Sequence, residues 1–464
     1  MNGIPSLRDY QTEAIEQLRD GFRSGHRAEI LVLPTGAGKT TVASAFIHSA
    51  VEKGSRVLFL AHRKELVEQA KDRLHSFGIR PGVIMAGWKQ RQNMSVNVAS
   101  IQTLLRRELP PAQVVVVDEC HHSISKSFKT LLDQYAAQGA AIIGLTATPY
   151  RLDGKGLGDI YSNIVAPISL ADLTERGFLV PARYVGSKMD MSGVDLTGGD
   201  YNVHQMHDRF DKKELYAGVV EHYNQFASGT KTIVFNVDVK HSETMRDTFI
   251  SAGIPAAHVD GETSPLERSK ILAAFKEGKF QVLCNVNILT EGFDLPAIET
   301  VILNRATKSK SLYLQMVGRG LRPAPGKSHC TVIDQGGNVW EHGPVDLEEE
   351  YTLETVKKKK LQQAAPVKCC PSCFFIQHVG ARECRECGHT FTLHVTEREL
   401  PKAVFEELND FLPKAAKVKI PLPDHLRKSW TDMTEEELKE VAEIRGYKPG
   451  WVYMQLKRKG EVAA

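Results

Sequence analysis

The run LPTGAGKT, residues 33–40, has the composition of a loop that cradles a chain of phosphates. Glycine lets the main chain come close to an anion, so the N–H groups of Gly36, Ala37, Gly38 and Lys39 can converge on it. Lys39 is long enough to reach terminal phosphates, and the Thr40 hydroxyl suits Mg²⁺. Pro34, Thr35 and Thr41 complete the lining. Such a loop usually begins with glycine; Leu33 stands there instead and leaves the phosphate-binding end intact. Further on, VVVVDECHH (114–122) closes an apolar run with two acids. Asp118 is suited to hold Mg²⁺ through water, and Glu119 to orient or deprotonate an attacking water. The two segments together predict hydrolysis of a nucleoside triphosphate such as ATP. His121 and His122 could suggest zinc, but a hydrogen bond across a domain interface suits a histidine after Glu119 better.

A second chemistry sits near the C-terminus. CPSC (370–373) and CREC (384–387) are two CxxC pairs with ten residues between them. Cys370, Cys373, Cys384 and Cys387 make a closed tetrahedral set for structural zinc, with no open position for catalysis. Cys369 is a fifth thiol whose spacing is less suitable, while Cys120, Cys284 and Cys330 are scattered. Phe374, Phe375, Ile376 and Val379 would form the small core that such a metal staples.

These residues need elements to position them. Apolar strand candidates at 29–33, 56–61, 96–100, 114–118 and 141–145 alternate with helical patterns at 39–53 and 63–77. Runs without polar alternation suit parallel strands buried on both faces. The pattern restarts with strands at 231–235, 256–259, 280–284, 300–303 and 330–334, and helices at 240–252, 265–276 and 311–318. The expected architecture is α/β: two tandem parallel-sheet domains at 1–183 and 216–345, joined by an irregular linker at 184–215. A zinc ribbon at 366–395 and a helical tail at 396–464 follow.

The motifs, taken in order, resemble those of superfamily 2 helicases of the DExH type, built from two RecA-like domains. LRDYQ (7–11) resembles the adenine-recognition element, with Arg8 and Gln11 at the base. LFLAHRKELVEQ (58–69) and ASIQTL (99–104) resemble strand-tracking motifs, and GLTATPYR (144–151) the coupling motif. In the second domain, TIVFNVDVKHSE (232–243), NVNILTEGFDLP (285–296) and QMVGRGLRP (315–323) resemble motifs IV, V and VI. The resemblance implies that Thr146 and Thr148 relay nucleotide state and that Asp294 approaches the ribose. It also implies that His62, Arg63, Lys64, Ser100, Gln102, Asn236 and Thr290 grip a nucleic-acid backbone; the part of Glu291 is open. Arg319 and Arg322, three apart, would share one helix face and reach the γ-phosphate as arginine fingers, with Gln315 one turn earlier. Within the superfamily the segments look closest to bacterial and phage DNA-repair helicases of the RadD kind.

Composition is consistent with this. Across 464 residues the formal net charge is +3, which excludes a histone-like polycation but not a local basic track. No long apolar run or signal region is present, so no membrane partner and a cytoplasmic setting, bacterial or host, are expected. The tail interleaves Tyr447, Trp451 and Tyr453 with Lys448, Lys457, Arg458 and Lys459; it could stack on single-stranded bases or simply pack as a helical hairpin. The reading is an ATP-dependent DNA helicase or translocase acting in repair or recombination, on single-stranded or branched DNA. Single-strand-binding or recombination proteins are the expected partners. Two alternatives stay open: an ATPase that remodels protein–DNA complexes without unwinding, or the motor of a restriction system.

Overall fold

The computed structural model describes residues 5–88, 94–123, 125–149, 154–186, 189–290, 292–347, 351–355, 366–391, 423–426, 428, 430–445 and 450–459. The chain forms two units, Met1–Ala365 and Pro366–Ala464.

The first unit contains two lobes. Lobe 1 opens with α1 (Asp9–Arg23), β1 (Ala28–Val32), α2 (Lys39–Glu52), β2 (Val57–Ala61) and α3 (Lys64–Ser76). It continues through β3 (Gly82–Ile84), β4 (Val96–Ser100), α4 (Ile101–Leu104), β5 (Val114–Asp118), α5 (Lys126–Ala137), β6 (Ala141–Thr146), β7 (Asn163–Val165) and α6 (Leu170–Glu175). Its seven strands run in the order β3-β4-β2-β5-β6-β1-β7, and every pairing is parallel. The four valines of β5 are buried on both faces, as helices cover both sides of the sheet. Each such side chain contributes about 1.5–3 kcal/mol relative to exposure. This burial fixes the strand so that Asp118 emerges at its C-terminal end.

Lobe 2 repeats the plan. Its elements are β8 (Ala182–Gly186), a hairpin of β9 (Leu196–Thr197) and β10 (Asp200–Tyr201), α7 (Val203–Phe210), α8 (Lys213–Phe226), β11 (Thr232–Asn236), α9 (Val239–Ser251) and β12 (Ala256–Val259). They continue with α10 (Pro265–Lys276), β13 (Val282–Asn285), β14 (Thr300–Asn304), α11 (Lys310–Gly318), β15 (Cys330–Asp334) and α12 (Asn338–His342). The six-stranded sheet runs β12-β13-β11-β14-β15-β8, again all parallel.

One expectation is corrected here. The segment 184–215 is not an irregular linker: β8 pairs with β15 as the edge of the second sheet, and 203–210 is helical. Met189, Met191 and Tyr201 then pack with Met206, Phe210, Val237 and Ala306 against the ends of the lobe-2 strands. The short edge strand ARYVG, with its half-buried start, lacks the long apolar run that marks the central strands.

A second departure follows lobe 2. Residues 351–355 return to lobe 1, where Tyr351 and Leu353 join its core. The Gly158 N–H donates to the Leu353 carbonyl (3.0 Å), and the Gly156 N–H to the Thr355 hydroxyl (3.3 Å). Lobe 2 is therefore entered and left through lobe 1.

In the second unit, β16 (Val367–Cys369) and β17 (Ile376–His378) form an antiparallel ribbon. The tail helices α13 (Glu435–Arg445) and α14 (Gly450–Lys459) pack around Leu426, Met433, Leu438, Val441, Val452 and Leu456. Trp451 meets Trp430 edge-on (5.7 Å between centroids), so the ring proposed for base stacking packs within the hairpin's own core. Tyr447 and Lys448 lie outside the described residues, as do the side chains of Lys457, Arg458 and Lys459. Among the described residues no helix is long and apolar enough to cross a membrane.

Candidate nucleotide site and metal centre

The loop between β1 and α2 turns on two left-handed glycines, Gly36 (φ 91°) and Gly38 (φ 88°), with Gly38 at the start of α2. A Cβ on Gly38 would strike the Gln11 amide, so the close approach requires glycine there. The N-terminal end of α2 adjoins the loop, the arrangement that binds anions, while the Ala37 N–H, expected to cradle phosphate, donates to the Pro34 carbonyl (3.0 Å). Lys39 lies half-buried, its Nζ 3.5 Å from the Leu33 carbonyl. Thr40 and Thr41 stand in the first turn of α2.

The LRDYQ segment is docked on this loop. The Tyr10 hydroxyl (2.8 Å) and the Gln11 amide (3.0 Å) both donate to the Ala37 carbonyl, while the Gln11 side-chain oxygen accepts from the Arg8 N–H. In this arrangement Gln11 holds the phosphate loop in shape with the same amide that was expected to read adenine. Arg8 stacks its guanidinium on Phe178 (4.5 Å).

Behind the loop, Asp118 and Glu119 are both largely buried. Glu119 adopts a left-handed backbone (φ 47°), and its N–H donates to an Asp118 carboxylate oxygen (3.1 Å). Its carboxylate lies 3.4 Å from His121 Nδ1, which in turn is 3.1 Å from the Thr146 hydroxyl. Thr146 donates to the Thr148 carbonyl at 2.6 Å. His121 thus connects the Glu119 carboxylate to Thr146 within lobe 1, where a bond across the domain interface was the expectation. This link joins the ends of two adjacent strands, β5 and β6, and could not be read from local spacing.

Across the cleft, motif VI approaches the same loop. Gly318 abuts Thr35 so closely that any side chain there would overlap it, and Arg322 passes over Gly36. The helix-face expectation for the arginines is corrected, because α11 ends at Gly318 and both lie beyond it. Arg319, also buried, donates to the Phe293 carbonyl (2.6 Å) inside its own lobe. Arg322 pairs with the exposed carboxylate of Asp294, the residue expected to approach the ribose. Burial lowers the Arg322 pKa, with the nearby Arg73 charge acting in the same direction. Gln315 is buried in α11.

The expected backbone grips divide into four groups. His62, Ser100 and Gln102 come together at the ends of β2 and β4: the Ser100 hydroxyl donates to the Gln102 side chain (2.9 Å), which donates to the His62 carbonyl (3.2 Å). Lys64 is exposed, 3.8 Å from Glu68. Arg63 is engaged across the lobes, donating to the Asn287 carbonyl (3.3 Å). Asn236 and Thr290 do not present a surface. Asn236 is fully buried, bonded to Ser242 and Asn304, and Thr290 donates to the Asn287 carbonyl. Glu291 and Arg151 lie outside the described residues.

In the second unit, the Sγ atoms of Cys370, Cys373, Cys384 and Cys387 all lie within 4.8 Å of one another, with pairs at 3.7 and 3.6 Å. Thiolates about 2.3 Å from a central zinc stand roughly 3.8 Å apart at the corners of a tetrahedron, so the donor set fits that ion. Left-handed Phe374 and Gly388 close the two thiol turns. Cys369, at the end of β16, stands outside the set.

A pair of parallel α/β lobes facing one phosphate loop defines a two-lobed nucleoside-triphosphate hydrolase. Residues 4–151 match the family of the type III restriction enzyme res subunit, and residues 213–324 match the helicase conserved C-terminal domain. A 51.5 kDa protein of a Lactococcus phage (isolate 7-9) is 32% identical over 373 residues, covering 79% of each chain. A Saccharomyces cerevisiae protein described as an ATP-dependent helicase, IRC3, is 32% identical over 353 residues. These are 71% of this chain but 51% of the yeast protein, so the chain spans about half of that relative. Among solved structures, a fragment described as an HsdR subunit of a type I restriction enzyme from Vibrio vulnificus YJ016 superposes with a TM-score of 0.57 at 26% identity. The likeness covers 73% of this chain and 66% of that one. The chain belongs to the superfamily 2 helicases of the DExH type. It is accordingly an ATP-hydrolysing enzyme.

Proposed function

We propose that the protein is an ATP-driven DNA helicase or translocase that works in DNA repair or recombination. The observation that carries this reading is the packing of Gly318 and Arg322, from lobe 2, against Thr35 and Gly36 of the phosphate loop. A nucleotide held by that loop touches both lobes, so its hydrolysis changes how they close. DNA as the track is supported by the likeness to subunits of restriction enzymes, which cut DNA by definition, and by the strand-tracking motifs.

In this reading Gly36 to Thr41 hold the triphosphate, and Lys39 neutralises its terminal end. Thr40 and Asp118 hold Mg²⁺, which supplies charge neutralisation at the phosphates when bound. Glu119 takes the proton of the attacking water, oriented by His121 and Thr146. Arg322 releases Asp294 to meet the γ-phosphate, and Arg319 and Gln315 support it. The Cys₄ cluster holds a structural zinc. Single-stranded or branched DNA is the substrate, with single-strand-binding or recombination proteins as partners in a cytoplasmic setting.

A restriction-motor reading is favoured by the same restriction-enzyme likeness and is separable by experiment. ATPase and strand displacement should be measured together on single-stranded, duplex and forked DNA and on RNA. DNA-stimulated hydrolysis with displacement of a forked strand is expected. Stimulation without displacement points to a remodelling or restriction motor, and stimulation by RNA alone overturns DNA as the track. Lys39→Ala should lower hydrolysis by at least about 10²-fold; retained hydrolysis would refute the site.

A further inference from the structure

We propose that a cavity on lobe 2, separate from the nucleotide cleft, receives one unstacked nucleobase of the bound strand; this rests on the nucleic-acid reading above. The cavity measures about 470 Å³. It lies where three neighbouring strands end: Ala306–Lys308 follow β14, Gly336–Glu341 follow β15, and Met189–Ser192 follow β8. Parallel α/β sheets place ligands at that edge. It is also the edge from which motifs IV and V leave β11 and β13.

Its chemistry selects a flat, uncharged group. Tyr201 and Trp340 offer two half-buried rings, and Met189 and Met191 offer thioethers. Among the described lining residues the one cation is Lys308, held 2.9 Å from both Glu341 carboxylate oxygens and 5.3 Å from the Tyr201 ring centroid. Asp190 adds a further negative charge. A phosphate would meet more negative than positive charge inside, so the backbone stays at the rim while a base enters. Base–aromatic stacking is tolerant of sequence, as a motor needs.

The wall is connected to the inter-lobe contact. Asp200 accepts from the Thr307 hydroxyl and the Lys308 N–H, both at 2.6 Å, and lies 3.9 Å from Arg305. Arg305 donates to the Asn287 side chain (2.8 Å), whose main-chain carbonyl accepts from Arg63 of lobe 1.

The test uses the full chain and a fluorescein-labelled oligothymidylate, intact or with one abasic position moved along it. Wild type should lose about 10-fold in affinity when one particular position is abasic. Trp340→Ala should lose as much on the intact strand and no longer sense that position. Trp340→Phe should bind like wild type, and ATPase without DNA should not change in either. Tyr201→Ala and Met191→Glu repeat the test should Trp340→Ala fail to fold. Unchanged affinity in these variants, or no sensitive abasic position, overturns the base pocket while leaving the DNA motor standing. An arginine-rich peptide that loses binding to Trp340→Ala, with oligonucleotide affinity kept, also overturns it and assigns the cavity to a cationic partner. Failure of wild type to bind any strand overturns both readings.

Discussion

The Arg63 guanidinium of lobe 1 donates to the Asn287 carbonyl of lobe 2 at 3.3 Å, and that same carbonyl accepts the Thr290 hydroxyl. Asn287 is one of three described non-glycine residues with a left-handed backbone (φ 53°), a conformation that turns its carbonyl toward both donors. Arg63→Ala should therefore weaken closure rather than folding. A single hydrogen bond from a charged group is worth about 1.5–3 kcal/mol, so DNA-stimulated kcat should drop about tenfold or more with an unchanged melting temperature. An unchanged kcat would show that the contact is not used in turnover.

Gly318 tests the same closure from the other side. Its missing side chain is what lets α11 reach Thr35. Gly318→Val should hold the lobes apart, reducing ATP hydrolysis by at least about 10-fold with a smaller change in nucleotide affinity. Binding of a fluorescent ATP analogue measured beside turnover separates the two effects; equal turnover in both proteins would refute the contact.

His342 gives a pH signature. It is half-buried, stacked on Tyr313 (5.2 Å), with Nε2 2.8 Å from the Thr307 carbonyl. Burial pushes its pKa down to about 4 against the carbonyl and Glu341, which favour the charged form. The unfolded chain takes up the proton first, so the stability it provides is complete above about pH 6.5 and is lost as pH falls toward 4. Buried Asp334, raised to about 6, acts in the opposite sense over part of that range. Comparing wild type with His342→Phe cancels it. Their difference in unfolding free energy should shift by on the order of 2–3 kcal/mol between pH 7 and 4, and a flat difference would refute the assignment.

For the cysteine cluster, about one zinc per chain is expected by elemental analysis, lost on changing Cys370 and Cys373 to serine. Cys369→Ser should keep the metal. Full occupancy in the double variant would remove the site.

Much of this was legible locally. VVVVD predicts a strand buried on both faces, and β5 spans Val114–Asp118. The thiol spacing predicts a four-sulfur cluster, and those atoms converge. What local reading misses is pairing between distant segments. Nothing in ARYVG indicates that β15 will be its neighbour. Nothing in FNVDV shows that Asn236 will be sealed beneath Asn304 and Ser242. Likewise Arg63 looks like a surface cation until the second lobe supplies a carbonyl.

The return of residues 351–355 to lobe 1 has a mechanical consequence. A body tied to another at one point can swivel about that tie in any direction. Lobe 2 is tied at two, through the chain that enters β8 and the chain that leaves α12 for Leu353. Like a door hung on two pins, it is confined to swing about the line between them. Each cycle of opening and closing then retraces one arc, which is what a motor needs if its steps are to be of equal length.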